Sequence, residues 1–565
     1  ARKGTLDVGF TNTPVLSLQV PVPTGNREFT ITQQKQLVAV NVLAGDALKT
    51  HAGEAFTEAS TDIMRGQISA QQVKAGGFAN LKVKSYEPNS APGLTSSVQL
   101  QDGLDLAVAG NLKIDTPLIN VQDNGTAKLS AGHITFKTPN LTIDKSAVAG
   151  GTGKLEINSK QLYIDGLGGT DGAGQVGIAG VNKTEINTAL DIHGQGGIVA
   201  NGDISLTARQ IYPNTKTEGT QNSLSFEAIG ANSKITVNSS GAKAKPVLSA
   251  VGTLNLTADD IVQNGVLRAP FGTINLVGKN SVTLTEGSIT SISADKQTIP
   301  YLQTQLIGRE TAPKGQTLPE KSISIKSTKV DVKNNAVIDL SSSGELFATE
   351  FVPGAGGSKN VFTNPNTYAV LPSLGQEYFP SGDASVGEAV FLTGVDGLAT
   401  GNYTLLPASY ALVPGAFMVE ISPVGNKVLP TESIKQLDGT TFTSGYRTDL
   451  ATGARDANWS TFKVTNGAVF RPAKGEISRT PSQFQLTNLT DFFSNPINTG
   501  GQDVPLPTDV GRLSLAASRT LVLDSQVIAN KGKDSKGNFG DGLQVDISAE
   551  KIRVVSSVGA EDGSL

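Results

Sequence analysis

The sequence predicts an all-β protein, built as a right-handed parallel β-helix that is interrupted by a β-rich, aromatic-containing insertion. Three observations support this prediction. The chain of 565 residues has 63 glycines, with only 17% charged and 5% aromatic residues. A short hydrophobic motif recurs along it, and one stretch without the motif holds most of the aromatic residues. Many short strands joined by tight turns account for this composition better than one large aromatic core.

The recurring motif has six positions. An apolar residue comes first, the second position is usually Ser or Thr, and the third is Ala or Ser. Two variable residues and a second apolar residue complete it. Apolar positions two apart indicate a half-buried strand, whereas the step of five across the small residue indicates a corner between two strands. Five copies lie at 68–73, 129–134, 206–211, 256–261 and 547–552, and two looser copies lie at 157–162 and 325–330.

Glycine-led strands repeat 20 residues apart, from Gly252 to Gly272. Coils of about this length, stacked at roughly 4.8 Å, would pair every strand with the coils above and below it, and about 18–20 of them would form a shaft about 90 Å long. A β-sandwich is the alternative fold, but sandwich strands do not repeat a corner sequence at coil-length spacing.

The predicted organisation has four parts. The first is a less regular start of the β-helix, the second its regular shaft, the third the insertion without repeats, and the fourth a resumed β-helix that continues beyond the given residues. These parts are 1–110, 111–340, 341–505 and 506–565.

The insertion is marked by its aromatic residues, since 18 of the chain's 30 fall between Phe347 and Phe493. Short strands are expected at 389–392 and 416–421, and the shaft is expected to resume near Gly511.

Ligand binding is predicted within the insertion, at Tyr446, Arg447, Trp459 and Phe462. Aromatic side chains and arginine are enriched at binding hot spots, and loops on rigid scaffolds carry much of protein recognition. The alternative is that these aromatic residues form the small core of the insertion itself.

No catalytic residue, cofactor or metal site is predicted. The absence of cysteine excludes disulfides, thiolate metal sites and a cysteine nucleophile. His51, His133 and His193 do not lie at zinc-ligand spacing and are expected at the surface or at corners. The segments 168–174 and 534–541 are similar to calcium loops only distantly, because they lack the required carboxylates.

A polysaccharide lyase or glycosidase would need a pair of acidic residues at its active site. The most suggestive pair in this sequence is Asp259 and Asp260. Adjacent residues on a strand point to opposite faces, and these two occupy the variable positions of a corner motif. A carbohydrate-active β-helix enzyme is therefore the alternative function, and a protein that is not an enzyme is the prediction. A net charge of −4 also argues against nucleic acid as a partner.

Two segments resemble the filamentous haemagglutinin family, the large exoproteins of two-partner secretion systems in Gram-negative bacteria. They are Asn-Gly-Val-Leu-Arg-Ala-Pro-Phe-Gly-Thr-Ile-Asn-Leu at 264–276 and Tyr-Thr-Leu-Leu-Pro-Ala-Ser-Tyr-Ala-Leu-Val-Pro-Gly-Ala-Phe at 403–417. The resemblance covers roughly 190–565. The first 190 residues share only the generic repeat, and the family's N-terminal secretion domain has no match here.

This resemblance implies a secreted or outer-membrane-associated rod at the bacterial cell surface, exported unfolded through an outer-membrane transporter of the two-partner type. It implies a structural and adhesive shaft, of an adhesin or a toxin-delivery protein, that contacts a receptor or glycan on a host or neighbouring cell. Segment 551–555 is expected to be a strand without a capping helix after it. The chain is therefore expected either to continue beyond the given residues or to associate with another copy through the β-helix ends.

Overall fold

The protein is all-β, as predicted, with 57% of the described residues in strands and 9% in helices. Most strands belong to one 26-stranded sheet of parallel pairs. None of the helices in the described part of the chain is long and apolar enough to cross a membrane. A computed structural model describes residues 4–9, 27–34, 64–85, 96–138, 143–166, 174–215, 223–304, 318–354, 357–374, 388–421, 428–450, 453–471 and 482–550.

The strands are numbered in chain order. The first part of the chain contains β1 (Thr5–Gly9), β2 (Arg27–Thr32), β3 (Met64–Ser69), β4 (Asn80–Lys84), β5 (Ser96–Leu100), β6 (Leu104–Ala107), β7 (Asn111–Asp115), β8 (Leu118–Val121), β9 (Thr126–Thr138), β10 (Gly150–Gly166), β11 (Gln175–Ala179) and β12 (Val181–Thr188). The middle part contains β13 (Asp191–Asn201), β14 (Asp203–Ala208), β15 (Gln210–Pro213), β16 (Ser223–Ile229), β17 (Lys234–Ser239), β18 (Thr253–Asn264), β19 (Val266–Arg268), β20 (Thr273–Leu284), β21 (Ile289–Ser291), β22 (Thr298–Thr304), β23 (Ser322–Val332), β24 (Val337–Asp339) and β25 (Glu345–Phe351). The last part contains β26 (Thr367–Val370), β27 (Glu388–Leu392), β28 (Gly401–Thr404), β29 (Leu406–Pro407), β30 (Phe417–Glu420), β31 (Ser433–Lys435), β32 (Thr440–Asp449), β33 (Ser460–Asn466), β34 (Phe484–Asn488), β35 (Arg512–Leu523), β36 (Gln526–Ile528) and β37 (Gln544–Ala549).

Helical segments are few and short. The α-helices are α1 (Ala70–Ala75), α2 (Leu489–Phe493) and α3 (Pro496–Thr499). Single 3₁₀ turns occur at Gln122–Asn124, Lys145–Ala147, Val361–Thr363, Pro372–Leu374, Ala408–Leu412 and Gly467–Phe470.

The chain passes repeatedly through three columns of parallel strands, which we name A, B and C and which together form the stack. Column A contains β6, the first halves of β9 and β10, β12, β14, β17, and the second halves of β18, β20, β23 and β35. Column B contains β1, β4, β7, the second halves of β9 and β10, the first part of β13, β15, β19, β21, β24 and β36. Column C contains β3, β2, β5, β8, β11, the second part of β13, β16, the first halves of β18, β20, β23 and β35, and β37.

The three columns enclose one continuous hydrophobic core, made mainly of Ile, Leu and Val. Alternate residues of each strand point inward, so residues of successive turns stack in register. In column C, Leu254 pairs with Ile274, Ile274 with Ile323, and Ile323 with Leu513, and none of the four is more than 1% exposed. Fully burying a side chain of this size contributes about 1.5–3 kcal/mol, so these ladders stabilise the stack.

The corner motif behaves as predicted in the copy at 256–261. Leu254 and Leu256 point inward from column C, and after a step of five residues Ile261 points inward from column A. The small residue at this corner, Ala258, is only 6% exposed. The chain thus passes from column C to column A within this six-residue motif.

The prediction of a corner followed by a strand is wrong for the copy at 68–73, where β3 ends and α1 begins. The Ser69 side chain accepts a hydrogen bond from the Gln72 amide at 3.1 Å, and the Ser69 amide donates to the Gln72 side chain at 3.0 Å. This reciprocal capping box favours a helix start. Helix α1 packs on β6, the first strand of column A, and Val73 is 1% exposed.

Turn length varies more than predicted. The 20-residue shift from Gly252 to Gly272 is confirmed, because Thr253 pairs with Thr273. The next turn is longer, however, since Ile274 pairs with Ile323. Column C therefore holds only twelve described strand segments, and twelve strands span about 50 Å at the usual spacing. The prediction of 18–20 coils and a 90 Å shaft is wrong for the described residues.

Replacing Gly272 by alanine is expected to destabilise the protein by about 1–3 kcal/mol, the usual cost of overpacking. A Cβ atom at this position would lie 2.0 Å from the carbonyl oxygen of Gly252 in the turn below. Gly401→Ala is the matched control, because a Cβ atom there meets no atom within 4 Å. Denaturant unfolding of both variants measures the difference, and equal stabilities would contradict the close approach of the two turns.

The insertion leaves the stack after β24 and returns at Arg512, where β35 begins. It contributes β25 and β34 to a three-stranded sheet with β22, and its remaining strands form an antiparallel sheet. Seven of these strands follow the path β28–β27–β32–β33–β30–β26–β29. The two ends of the path, β28 and β29, are separated only by Leu405, so the sheet closes into a barrel. The strands predicted at 389–392 and 416–421 correspond to β27 and β30.

The barrel is attached to the flank of the stack by a second hydrophobic cluster. This cluster joins Leu248 and Phe271 of the stack to Leu412 and Phe470 of the insertion. The Tyr410 hydroxyl donates a hydrogen bond to the Leu248 carbonyl oxygen at 3.0 Å. Burial raises the pKa of Tyr410 to about 12, so the hydroxyl keeps its proton at any physiological pH.

Candidate functional site

Three aromatic side chains meet on the outer face of the barrel. Phe391 on β27 and Tyr446 on β32 pair across the sheet, and their rings stack with centroids 4.8 Å apart and planes 4° from parallel. Trp459, just before β33, meets both rings edge-on, at 6.0 Å from Phe391 and 5.4 Å from Tyr446. We name these three residues the barrel aromatic cluster.

Strand alternation explains why the cluster faces outward. Val390 and Leu392, on either side of Phe391, are fully buried in the barrel core. Phe391 therefore points away from that core. Trp459 is 36% exposed. The cluster thus offers aromatic surface to solvent on a rigid support.

A hairpin holds the cluster in place. The Thr448 hydroxyl donates to the Ala454 carbonyl oxygen at 3.1 Å, and the Asp449 amide donates to the same oxygen at 2.8 Å. This hairpin places the Arg455 guanidinium 5.0 Å from the Tyr446 ring centroid. A cation at that distance is attracted by the ring, so a positive charge lies beside the aromatic surface.

The predicted ligand-binding residues fall in different places. Tyr446 and Trp459 lie together in the cluster, and Arg447 is half-buried on the same strand. Phe462 is fully buried in the barrel core, because its position on β33 points inward, so its prediction as a ligand contact is corrected to core packing. Sequence reasoning missed Phe391, although the alternation of Val390 and Leu392 marks it as an outward residue.

A buried polar site lies on column B, at the corner after β14. The Arg209 guanidinium forms a two-point ion pair with Asp191, with distances of 2.7 Å for Nε–Oδ1 and 2.9 Å for Nη2–Oδ2. Arg209 is 1% exposed and Asp191 is fully buried. Gln210 and Tyr212 also donate to Asp191, at 3.3 and 3.4 Å. The two variable residues of this corner motif are therefore buried, which the sequence did not indicate.

His133 and His193 are buried, so the prediction of surface positions is wrong for both, although His133 does lie at the corner of the motif copy at 129–134. His193 lies between Tyr163 and Tyr212, with ring centroids 5.1 and 5.2 Å away, because the three residues occupy matching positions of successive turns. Burial lowers the pKa of His193 to about 4 and the pKa of His133 to about 3. Both rings are therefore neutral at physiological pH. His51 lies outside the described residues.

A buried lysine lies where the insertion rejoins the stack. Lys321 donates to the carbonyl oxygens of Pro507, at 2.7 Å, and Asp509. Burial lowers its pKa to about 7. Glu320, Asp503 and other residues line a cleft beside it. Because the ammonium group is directed at backbone oxygens, Lys321 ties the returning chain to β23.

The two carboxylates of the alternative enzyme hypothesis, Asp259 and Asp260, accept hydrogen bonds from residues of neighbouring turns. Asp259 accepts a hydrogen bond from the Asn232 amide at 2.7 Å, and Asp260 accepts one from the Ser281 hydroxyl. Among the residues that the structure describes, no group of three or more His, Asp and Glu could hold a metal ion. The segment 168–174 lies almost entirely outside the described residues.

The barrel aromatic cluster is the best-supported candidate site among the described residues, because it combines exposed aromatic surface with a nearby positive charge.

Comparison with protein-family models, with curated proteins and with solved structures gave no match for this chain.

Proposed function

We propose that this chain is a structural and adhesive segment of a large filamentous exoprotein, secreted or displayed at a bacterial cell surface. The three columns form a right-handed parallel β-helix that serves as the shaft, and the barrel carries the recognition surface. The observation that supports this function most directly is the exposed aromatic cluster of Phe391, Tyr446 and Trp459 on a barrel attached to the flank of the stack.

The architecture suits a shaft. Each turn of the stack contacts chiefly the turns before and after it, so such a fold can grow turn by turn. A chain without cysteine forms no disulfides that would block passage through a narrow pore. Both properties support export in an unfolded state through an outer-membrane transporter of the two-partner type, as the filamentous haemagglutinin resemblance implies.

The chemistry of the cluster suits adhesion. Aromatic residues and arginine are enriched at binding hot spots. Tyr and Trp bury large rigid surfaces at a low entropic cost, and arginine adds a charge and a planar set of hydrogen-bond donors. Trp459 supplies exposed ring surface and Arg455 supplies a nearby positive charge. The partner is a receptor or glycan on a host or neighbouring cell, contacted mainly through this face of the barrel.

Replacing Trp459 by alanine is expected to weaken adhesion of the full chain to such cells by roughly 30-fold, the effect of losing a hot spot of about 2 kcal/mol. Phe539→Ala is the matched control, because Phe539 is 63% exposed but lies between β36 and β37, away from the barrel strands. Binding of fluorescently labelled protein to cells measures both variants. Equal losses, or no binding by the unchanged chain, would refute the adhesive role.

A further inference from the structure

The indole of Trp459 lies flat across two other aromatic rings. Its centroid is 5.4 Å from that of Tyr446 and 6.0 Å from that of Phe391, while Tyr446 and Phe391 are 4.8 Å from each other. Because these three distances are similar, the indole lies beside the stacked pair and not in line with it. Its plane is 87° from both of the other rings, and perpendicular rings this close meet edge to face. The edges of Tyr446 and Phe391 therefore meet one face of the indole.

The opposite face of the indole points away from the pair. Trp459 is 36% exposed, and it directly precedes Ser460, which pairs with Gly445 across the sheet. Ring edges carry partial positive charge and ring faces partial negative charge, so the two edges hold the indole by attraction. A flat ring that is held on one face and exposed on the other is a platform on which a ligand ring can stack. The ligand is therefore expected to present a flat apolar face.

An unpaired positive charge lies beside this platform. The Arg455 guanidinium is 5.0 Å from the Tyr446 ring centroid, and Arg455 is exposed. Its side chain forms no hydrogen bond or ion pair with any residue that the structure describes. A guanidinium binds a carboxylate through two parallel hydrogen bonds, which gives arginine geometric specificity for such groups. The ligand is therefore expected to carry a carboxylate close to its apolar face.

We propose that the ligand of the barrel aromatic cluster is a glycan that contains a hexuronic acid, an inference that rests on the proposed adhesive function. The C–H face of one sugar ring packs on the outer face of Trp459, and the carboxylate of that sugar pairs with Arg455. Both side chains lie within 5.4 Å of the Tyr446 ring centroid, so a single sugar residue reaches both. Arg455 then determines the preference for acidic over neutral sugars.

A glycan fits this surface better than a protein or a nucleic acid. Hot spots between proteins are centred in well-packed pockets, whereas the outer face of Trp459 is flat and exposed. Nucleic acid requires a basic surface, and the net charge of the chain is −4. A pyranose ring has a side lined by C–H groups and carries its hydroxyl groups around the rim. It therefore stacks on an indole without burying an unpaired polar group.

Fluorescence titration of the full chain tests the proposal, because Trp459 is its only tryptophan and the emission reports on this site alone. The probes are tetragalacturonic acid and its methyl ester, which share the sugar rings but differ in charge. Both should change the emission, and the acid should bind roughly tenfold more tightly, since charge-assisted hydrogen bonds are about twice as strong as neutral ones. No response to the acid, or equal affinities for acid and ester, would overturn the proposal.

Arg455→Gln keeps a long polar side chain but removes the charge. This variant should bind the acid and the ester with equal affinity, while its affinity for the ester stays that of the unchanged chain. Arg519→Gln is the matched control, since Arg519 is also exposed but lies on β35 of the stack; it should retain the preference for the acid. A preference that survives Arg455→Gln, or that disappears in both variants, would refute the role of Arg455.

Competition on cells separates this proposal from the adhesive function itself. Excess tetragalacturonic acid should reduce the binding of the labelled full chain to cells, and the methyl ester at the same concentration should not. Cell binding that requires Trp459 but resists the acid would leave the adhesive role standing and overturn the sugar-acid ligand. A fluorescence response to the acid by a chain that does not bind cells would support the sugar site and contradict the adhesive role.

Discussion

Replacing Arg209 by alanine is expected to lower the free energy of unfolding by about 3–5 kcal/mol, because it leaves a buried carboxylate without its counter-charge. The loss concerns Asp191, which is fully buried and receives two hydrogen bonds from the Arg209 guanidinium. Urea unfolding followed by circular dichroism measures the change. A shift in the midpoint of the transition at unchanged slope would show that stability alone is affected.

An exposed ion pair of the same stack provides the control. Lys154 lies 2.8 Å from Glu185 but is 36% exposed in its side chain, and exposed pairs contribute about 0–1 kcal/mol. Lys154→Ala should therefore change stability little. Replacing Asp191 and Arg209 together by apolar residues should recover part of the loss, since no charge is then buried alone. Equal effects of the two single substitutions would contradict the burial of the Asp191–Arg209 pair.

Acidification is expected to destabilise the fold between about pH 6.5 and pH 4. An unfolded histidine has a pKa near 6.5, whereas burial lowers the pKa of His193 to about 4 and of His133 to about 3. Across this window the unfolded chain binds protons that the folded chain does not, so stability falls with falling pH. The loss from His193 amounts to about 3 kcal/mol by pH 4.

His193→Phe isolates this contribution. A phenyl ring can stack between Tyr163 and Tyr212 as the imidazole does, but it cannot take up a proton. Urea unfolding at neutral and at acidic pH should show a smaller loss of stability for this variant than for the unchanged chain. An unchanged pH dependence would mean that His193 is solvated or charged in the folded state.

Local patterns in the sequence were sufficient to predict the parallel strands. The alternation at Leu254 and Leu256 and the step to Ile261 reflect contacts within one turn, which a short segment encodes by itself. The pairing of Ile323 with Leu513 is different, because the whole insertion lies between the two residues. No local pattern specifies how far along the chain the next turn begins, so the predicted coil number is too high for the described residues.

The candidate site was partly predictable for the same reason. Residue type singled out Tyr446 and Trp459, but the closure of the barrel depends on pairings between distant strands. That closure turns Phe462 inward and brings Phe391 beside Tyr446. The burial of Arg209 also depends on distant chain segments. Its corner has the same motif as the Asp259 corner, but only Arg209 forms a fully buried ion pair. Segment 551–555, predicted to be a strand, lies outside the described residues.

Consecutive turns of the stack lie in parallel register on both sides of the insertion. Thr257 pairs with Val277, Val277 with Lys326, and Lys326 with Ala516. Spin labels on cysteines at Thr257 and Ala516 should therefore be roughly 15 Å apart, three strand spacings, although 259 residues separate them. A distance beyond about 30 Å, more than six spacings, would contradict the stack.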